Sequence, residues 1–362
     1  MKIEVYSPTI RRKEMDAVLT AMVEEKIGPG DRNRLLIQTA KEQIHFDYAL
    51  CLRSPAVALY LALKALGVKQ GQAVIISALS PRYYFQVIQD LQLTPLFCDV
   101  SYDFPCMSRE TIENAAANKP AGLEICAVVL HHTLGFSPDA AAVAELGFPV
   151  IEDISQSYGS RIKPEKKQEE NGDEDNSSKQ KEEEQAKASG VFCILGLEER
   201  DMLTSGGGAL LFAMNRRDGL QLRNFSAIPN EYCLPDINAA LAVVQFKELH
   251  RNLEKRREIA RVYAQASLRT RHKRFIPINE DEYNYYSFSL VLETGLKDVI
   301  AYAKKKEIVI ESAFENSLAG AGLSGKCPVS NSLALRTVLF PIYPRLRSQE
   351  AERVSRLIMT LP

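Results

Sequence analysis

The feature that most constrains the fold is an alternation of short apolar runs with helical stretches across residues 49–159. Residues 74–76 read Val-Ile-Ile and have the length and composition of a buried strand. The alanine- and leucine-rich stretch 56–66 has the composition of a helix and is followed by Gly67, a common residue at helix C-termini. This alternation is typical of a parallel sheet with crossover helices, so the sequence predicts an α/β protein.

The same signals recur along the rest of the chain. We predict further strands at residues 96–100, 126–131, 149–153 and 206–212, and helices at residues 83–91, 139–146 and 235–263. Beyond residue 274, a strand-like alternation at residues 285–292 precedes two helical stretches. We therefore expect a large α/β domain over residues 1–250 and a smaller α+β C-terminal domain over residues 251–362.

Composition and charge exclude several classes of protein. The 362 residues are 46% hydrophobic and 25% charged, which is ordinary for a globular protein. Lys and Arg number 45 against 46 Asp and Glu, so the balance shows neither a nucleic-acid nor an anionic-membrane footprint. No signal peptide and no apolar run of about 20 residues, the length that spans a bilayer, is apparent. We expect a cytoplasmic protein that binds neither nucleic acid nor membrane.

The cysteines and histidines give no sign of a disulfide or metal site. Seven cysteines occur without a CxxC pair, which fits reduced thiols in the cytosol. The five histidines lack metal-ligand spacing, and the adjacent His131 and His132 would face opposite sides of a strand. We expect no metal.

A charged tract separates the two halves of the large domain. Between Lys163 and Lys187 the composition changes to Lys, Glu, Asp, Gln, Asn and Ser. Such a segment buries too little apolar surface to offset its ordering entropy, so we predict a disordered surface insertion at residues 163–188. A tolerated solvated loop is favoured over an interaction tail.

Several motifs appear in an order and spacing that identify a family. They are Gly28-Pro29-Gly30, residues 58–67, Pro95-Leu-Phe-Cys-Asp99, His132-Thr-Leu-Gly135, Glu152-Asp153-Ile-Ser-Gln156-Ser-Tyr-Gly159, Ala239-Ala240 with Gln245, Arg256-Arg257 and residues 339–344. Together they resemble the DegT/DnrJ/EryC1/StrS family of sugar aminotransferases. The resemblance implies the fold-type-I architecture of pyridoxal-phosphate (PLP) enzymes, which is like that of aspartate aminotransferase.

The resemblance also assigns positions around the cofactor. Asp153 matches the aspartate that pairs with the pyridine nitrogen, and Gln156 matches the glutamine that lies against the ring. A carboxylate there keeps the ring nitrogen protonated and makes the ring an electron sink. Ser54 and Ala56 match phosphate-binding positions at a helix N-terminus. Read without the resemblance, an acidic pair at residues 152–153 ends a strand and caps a turn.

At the catalytic position, however, the sequence departs from the family. No lysine occurs between Gly190 and Gly208, and Arg200 stands where the Schiff-base lysine is expected. Ser205-Gly206-Gly207-Gly208 replaces the family's Gly-Glu-Gly-Gly turn. Arginine stays protonated and is neither a nucleophile toward an aldehyde nor a general base. We therefore assign no catalytic residue.

The other cofactor contacts are altered as well. Pro55 removes an amide donor and Ala56 a hydroxyl from the family's Ser-Gly-Thr, and Leu195 replaces a phosphate-contacting serine. Residues 231–233 replace the Asn-x-Arg segment that the family contributes across a dimer interface. Pro81 replaces the aromatic residue that stacks on the ring. Tyr83, Tyr84 or Phe85 would supply a ring if the local alignment shifts.

These losses predict a catalytically inactive pseudoenzyme or partner subunit, related to the nucleotide-sugar aminotransferases of polysaccharide biosynthesis. Such a subunit would form a homodimer, or a heterodimer with an active paralogue, and would have a nucleotide sugar as a candidate ligand. We expect no cofactor, with Asp153, Gln156, Ser54 and Ala56 as vestigial positions. The alternative is an active aminotransferase or dehydratase of altered chemistry that uses PLP or pyridoxamine phosphate. In a third hypothesis, an unaligned lysine such as Lys187 serves an ordinary aminotransferase.

Overall fold

A computed structural model describes residues 2–160 and 189–362, except residues 226, 281 and 294. The predicted insertion at residues 163–188 and Lys187 therefore lie outside the described residues. Among the described residues, no helix has both the length and the apolar character needed to cross a bilayer.

Seven strands of the described chain form the main sheet. They are β1 (Tyr48–Leu52), β2 (Ala73–Ser77), β3 (Thr94–Cys98), β4 (Ile125–His131), β5 (Val150–Asp153), β6 (Phe192–Gly196) and β7 (Ala209–Ala213). Their spatial order is β1-β7-β6-β5-β4-β2-β3. Strands β2 to β6 pair in parallel, and β7 runs antiparallel to both of its neighbours. The predicted parallel α/β architecture is confirmed.

Helices cover both faces of this sheet. Those of the large part are α1 (Arg12–Val23), α2 (Asp31–Lys41), α3 (Pro55–Ala65), α4 (Arg82–Asp90), α5 (Arg109–Ala117), α6 (Ala140–Ala144), α7 (Arg216–Arg223) and the 32-residue α8 (Asp236–Ser267). The sequence prediction omitted α1, α2, α5 and α7, whose mixed polar composition weakens the apolar period that marks a helix.

Alternate residues of the central strands enter different cores. In β6, Phe192 and Ile194 pack in the core that contains α3 and α4, whereas Cys193 and Leu195 pack in the core that contains α2 and α8. This division follows from the two-residue period of a strand. All five residues of β6 are buried, as expected for a parallel sheet covered on both faces.

The C-terminal part is α+β. Strands β8 (Phe288–Val291), β9 (Glu311–Ser312) and β10 (Thr337–Phe340) form an antiparallel sheet in the order β8-β10-β9. Helices α9 (Leu296–Lys305), α10 (Pro328–Arg336) and α11 (Ser348–Met359) accompany it. Three helices thus follow β8 among the residues described, where the sequence suggested two. The domain division stays a prediction, and its boundary between residues 250 and 251 lies inside α8.

Candidate functional site

The candidate site lies at the carboxyl ends of the central parallel strands. Asp153 is the last residue of β5, where it pairs in register with His131 of β4 and Ile194 of β6. Its side chain is buried. In open α/β sheets this edge is where ligands bind, so the fold brings Asp153 to the expected place.

The carboxylate of Asp153 is surrounded by donors from its own chain. Tyr84 donates its hydroxyl to Oδ2 at 2.6 Å, and Tyr83 donates to the same oxygen at 3.0 Å. Oδ1 accepts the backbone N–H of Ser155 at 3.0 Å and also the Ser155 hydroxyl. An ionised carboxylate offers about four lone-pair sites, so these four donors saturate it.

Ser155 ties this carboxylate to the neighbouring strand. Its Oγ accepts the backbone N–H of Gly196, the last residue of β6, at 2.7 Å. A Cβ at Gly196 would collide with the Asp201 carboxylate and would lie 2.8 Å from Ser155 Oγ. Glycine at this position therefore allows β5, β6 and Asp201 to approach one another.

Tyr84 is the more firmly held of the two tyrosines. Tyr84 is fully buried and meets the rings of Tyr83 and His131 edge to face, with centroid distances of 4.9 and 6.0 Å. Burial raises the pKa of both tyrosines well above the usual value, and the negative charge of Asp153 adds to this effect. Their hydroxyls therefore remain protonated donors at neutral pH.

The aromatic residues near Pro81 are thus placed as follows. Tyr83 and Tyr84 contact Asp153 through their hydroxyls, whereas Phe85 points elsewhere and stacks on Phe97 at 6.3 Å. The sequence indicated that one of these residues would supply the stacking ring if the local alignment shifts, and this stays a prediction. It did not indicate that two hydroxyls would bind the carboxylate.

Gln156 serves a local structural contact. Its Oε1 accepts the N–H of Leu134 at 2.7 Å, and its backbone carbonyl accepts Asn284 Nδ2 at 2.7 Å. Leu134 has a φ of 57°, an uncommon value for a residue other than glycine. The side chain of Gln156 therefore stabilises this turn. Its predicted position against a cofactor ring stays a prediction.

The first turn of α3 offers few groups to a phosphate. The Oγ of Ser54 accepts the N–H of Val57 at 3.3 Å and caps the helix. Pro55 has no N–H, and Ala56 has no hydroxyl. The N–H of Val57 is bonded to Ser54, so among residues 55 to 57 only the N–H of Ala56 is left for a phosphate.

Two further positions lack the side chains that the resemblance implies. One is assigned to the phosphate and the other to the dimer interface. Leu195 is fully buried in the core between the sheet and α8. Residues 231–233 lie beside β1, where Arg53 donates its N–H to the carbonyl of Tyr232 and where Leu52 and Cys233 form an isolated bridge. Glu231 is exposed.

Arg200 connects the large part of the chain to the small sheet. Its Nη1 and Nη2 donate to Glu311 of β9 at 2.6 and 3.4 Å. The guanidinium carbon also lies 5.8 Å from the centroid of the Tyr6 ring. The hydrogen bonds to Glu311 raise the pKa of Arg200 further, so this side chain is a fixed cation in a salt bridge.

Asp201 is a site residue that sequence reasoning missed. It accepts the Glu198 N–H through Oδ2 at 2.9 Å, and burial raises the pKa of its carboxyl to about 7. The negative charge of Asp153 contributes to this rise. Burial raises the pKa of Tyr286, and the negative charge of Asp201 adds to this rise. The only sequence signal was an acidic residue next to Arg200.

The residues around Asp153 do not fit PLP, the cofactor that the family resemblance implies. The carboxylate that should receive the pyridine nitrogen has no acceptor position left. The position that the resemblance assigns to the Schiff-base lysine is an arginine engaged with Glu311, and the positions it assigns to the phosphate offer a capped serine, a proline and a buried leucine. Among the described residues, no group of three or more His, Cys, Asp and Glu side chains is placed to hold a metal ion.

Comparisons with known proteins agree with this fold. The sequence model of the DegT/DnrJ/EryC1/StrS aminotransferase family matches residues 8–173 and 182–359. GDP-perosamine synthase of Escherichia coli O157:H7 is 31% identical over 166 residues, a match that spans 44% of this chain and 44% of that protein. The chain is thus matched to less than half the length of this relative.

Solved structures show the same architecture at lower identity. The aminotransferase TlmJ from Streptoalloteichus hindustanus has a TM-score of 0.82 at 19% identity, covering 99% of this chain and 98% of that one. The PLP form of the putative sugar aminotransferase Spr1654 from Streptococcus pneumoniae has a TM-score of 0.83 at 16% identity, covering 99% and 98%. PseC of Helicobacter pylori, an aminotransferase involved in the biosynthesis of pseudoaminic acid, gives 0.82 at 14%, with the same coverage.

Proposed function

This chain belongs to the DegT/DnrJ/EryC1/StrS aminotransferase family, and from that premise we propose that it is a non-catalytic member of the family. In this proposal it forms no Schiff base with PLP and serves as a nucleotide-sugar-binding or partner subunit in polysaccharide biosynthesis. A fold alone does not fix a function, so the proposal depends on the residues of the site.

The proposal depends on one observation, which is that Arg200 is engaged in a salt bridge with Glu311. It takes the place of the lysine, and its guanidinium makes a bidentate salt bridge with Glu311. A guanidinium cannot form a Schiff base under any protonation state available in a protein.

The candidate ligand is inferred from the relatives. GDP-perosamine synthase carries a nucleotide sugar in its name, and PseC is described as an enzyme of pseudoaminic acid biosynthesis. A nucleotide sugar is therefore the first ligand class to test.

The seven cysteines, all of them described, form no disulfide, which supports the proposed cytoplasmic location.

The direct test is borohydride reduction in the presence of PLP. The purified full-length protein is incubated with PLP, scanned for an aldimine absorbance band, reduced and analysed by peptide mass spectrometry. We expect no reduced adduct at a single defined lysine, while a sugar aminotransferase of known activity, treated in parallel, gives one. A stoichiometric adduct on one lysine, for example Lys187, would refute the proposal and identify the nucleophile.

The alternative function is an active enzyme of altered chemistry that uses pyridoxamine phosphate. It is separated from the main proposal by adding pyridoxamine phosphate together with a 4-keto nucleotide sugar. Turnover in this mixture, without any lysine adduct, would favour the alternative. Arg200 cannot supply the base that such a reaction needs, which counts against this alternative.

For the partner, we propose a second copy of this chain that docks on α1. Met15, Leu19, Met22 and Val23 repeat at helical spacing and are 54 to 76% exposed. A two-fold dimer would cover these side chains in both copies. Leu19→Lys should convert the dimer to a monomer in light scattering, whereas Lys26→Glu, on the polar residues just after α1, should not. A wild-type protein that is monomeric alone but pairs with an active paralogue would select the heterodimer instead.

A further inference from the structure

The most unusual feature of the site is the pair of tyrosine hydroxyls on Oδ2 of Asp153. We propose that Tyr83 and Tyr84 act as a built-in replacement for the cofactor ring, so that this site excludes a pyridoxal-type ring even when no covalent bond is required. We call these two residues the tyrosine pair. The inference deepens the proposed function and rests on it only for the statement that no Schiff base forms.

The carboxylate of Asp153 is already saturated with hydrogen bonds. A ring nitrogen must approach a carboxylate oxygen to about 2.8 Å to form a charge-assisted bond. The two hydroxyls occupy Oδ2, and the amide and hydroxyl of Ser155 occupy Oδ1. A ring would therefore have to displace one of four existing donors before it gained its own bond.

The donors on Asp153 differ in how easily a ring could displace them. Ser155 is held through the Gly196 amide, and Tyr84 is fully buried between Tyr83 and His131. Removing Tyr84 from its place would leave a cavity in a close-packed core. Tyr83 is half-buried and forms the longer bond, 3.0 Å, so it controls access to Asp153.

The buried carboxylate of Asp153 needs no ligand to complete its hydrogen bonds. A buried charge without donors is costly, and in a protein that depends on its cofactor the ring would satisfy part of this need. Here the tyrosine pair and Ser155 supply the hydrogen bonds that the Asp153 carboxylate needs. The protein is therefore expected to reach its full stability with no cofactor bound.

The test uses 4-deoxypyridoxine 5′-phosphate, which has the pyridine ring and phosphate of PLP but no aldehyde. Because it cannot form a Schiff base, its binding reports only the non-covalent acceptance of the ring and phosphate, and the Asp153 variant below isolates the contribution of the ring nitrogen. The full-length wild type, Tyr83→Ala and the surface control Tyr102→Ala are titrated by calorimetry. We expect no saturable binding by the wild type or by Tyr102→Ala at about 1 mM, and at least about tenfold tighter binding by Tyr83→Ala.

If the inference is correct, the tighter binding of the analogue by Tyr83→Ala depends on the carboxylate of Asp153. Asp153→Asn in the Tyr83→Ala background should weaken the gained binding about tenfold or more. Should Tyr83→Ala not fold, Tyr83→Phe replaces it, since it frees one acceptor position while keeping the ring, and it should also bind more tightly than the wild type.

Two results would overturn the inference. One is saturable binding of the analogue to the wild type that weakens on Asp153→Asn. The other is equal affinity in the wild type and in the folded Tyr83 variant. Neither depends on borohydride reduction, so the failure of this inference and the failure of the proposed function are distinguished by separate measurements.

Discussion

Arg200 and Glu311 form a bidentate salt bridge that joins the loop after β6 to the edge strand of the small sheet. The arginine side chain is 53% exposed, so solvent screens much of the attraction. The contact therefore positions the two parts of the chain more than it stabilises them.

A double-mutant cycle on this pair should give a small coupling energy. We expect Arg200→Ala and Glu311→Gln to couple by less than about 1 kcal/mol, as exposed ion pairs do. The measurement is urea unfolding of the wild type, both single variants and the double variant. A coupling of about 3 kcal/mol would show that the pair is shielded from solvent and would contradict this reading.

Restoring the lysine alone should not restore cofactor chemistry. In Arg200→Lys the amine becomes available, but Asp153 stays bonded to the tyrosine pair and the phosphate positions stay altered. We expect no reduced PLP adduct at position 200 in Arg200→Lys at about 1 mM PLP. The same reduction is made on Arg200→Lys combined with Tyr83→Ala, which should label more than the single variant. Full labelling of Arg200→Lys by itself would show that the lysine was the only missing part.

Tyr84→Phe should destabilise the protein through Asp153. The change removes a 2.6 Å hydrogen bond to a buried carboxylate while keeping the ring in place. Because bonds to charged groups are strong and the acceptor stays buried, we expect a loss of about 1 to 3 kcal/mol in the free energy of unfolding. Chemical denaturation measures it, with the exposed Tyr102→Phe as control. A loss below about 0.5 kcal/mol would mean that Asp153 does not need this donor.

The sequence predicted the architecture well because strand and helix periods are local signals. The runs at residues 74–76, 126–131 and 149–153 correspond to β2, β4 and β5 within a residue or two. By contrast, β9 is two residues long and β10 follows α10 without a break, so neither is preceded by a turn signal. Such elements depend on pairing with distant strands, which one local stretch of sequence does not encode.

The sequence shows which residues of the family motifs are replaced, but it does not show the contacts that the replacing residues make. The missing lysine and the proline at residue 55 are visible in the sequence, because each is a single residue in a known motif. That Tyr84 donates to Asp153, 69 positions away, depends on where α4 packs against the sheet. Likewise, the raised pKa of Asp201 arises from burial, which the sequence around Arg200 does not reveal.

Gly30→Ala should be costly although Gly28→Ala is not. Gly30 donates its N–H to the buried Asp236 at 3.0 Å, and a Cβ at this position would lie 2.8 Å from the other carboxylate oxygen. That oxygen also accepts the N–H of Arg32, so the added methyl group would disturb both bonds. We expect a loss of about 1 to 2 kcal/mol for Gly30→Ala.

Gly28 provides the matched control for this substitution. A Cβ at Gly28 would meet no atom within 4 Å, so Gly28→Ala should change the free energy of unfolding by less than about 0.5 kcal/mol. Thermal and urea unfolding of the two variants make the comparison. Equal losses would show that the Asp236 contact does not restrict position 30.

Asp201→Asn should change how stability depends on pH. The folded protein keeps the Asp201 proton up to about pH 7, whereas the unfolded chain releases it near the ordinary value of 3.8. Between pH 3.8 and about pH 7 the folded state binds one proton more than the unfolded chain. The stabilisation of the folded state by this proton is therefore complete below pH 3.8, and it is lost as the pH rises through about 7. Asparagine has no such proton and still accepts the Glu198 N–H through its amide oxygen. When the pH is raised from roughly 5 to 8, the free energy of unfolding of Asp201→Asn should therefore increase by about 1 to 3 kcal/mol relative to that of the wild type.

Urea unfolding of both proteins at the two pH values measures this gain. The exposed Asp103→Asn is the control for removing a carboxylate from the surface. Parallel pH profiles for the wild type and Asp201→Asn would mean that Asp201 is solvated in the folded state. In that case the carboxyl would be charged at neutral pH, and it would add a negative charge beside Asp153 that the tyrosine pair does not neutralise.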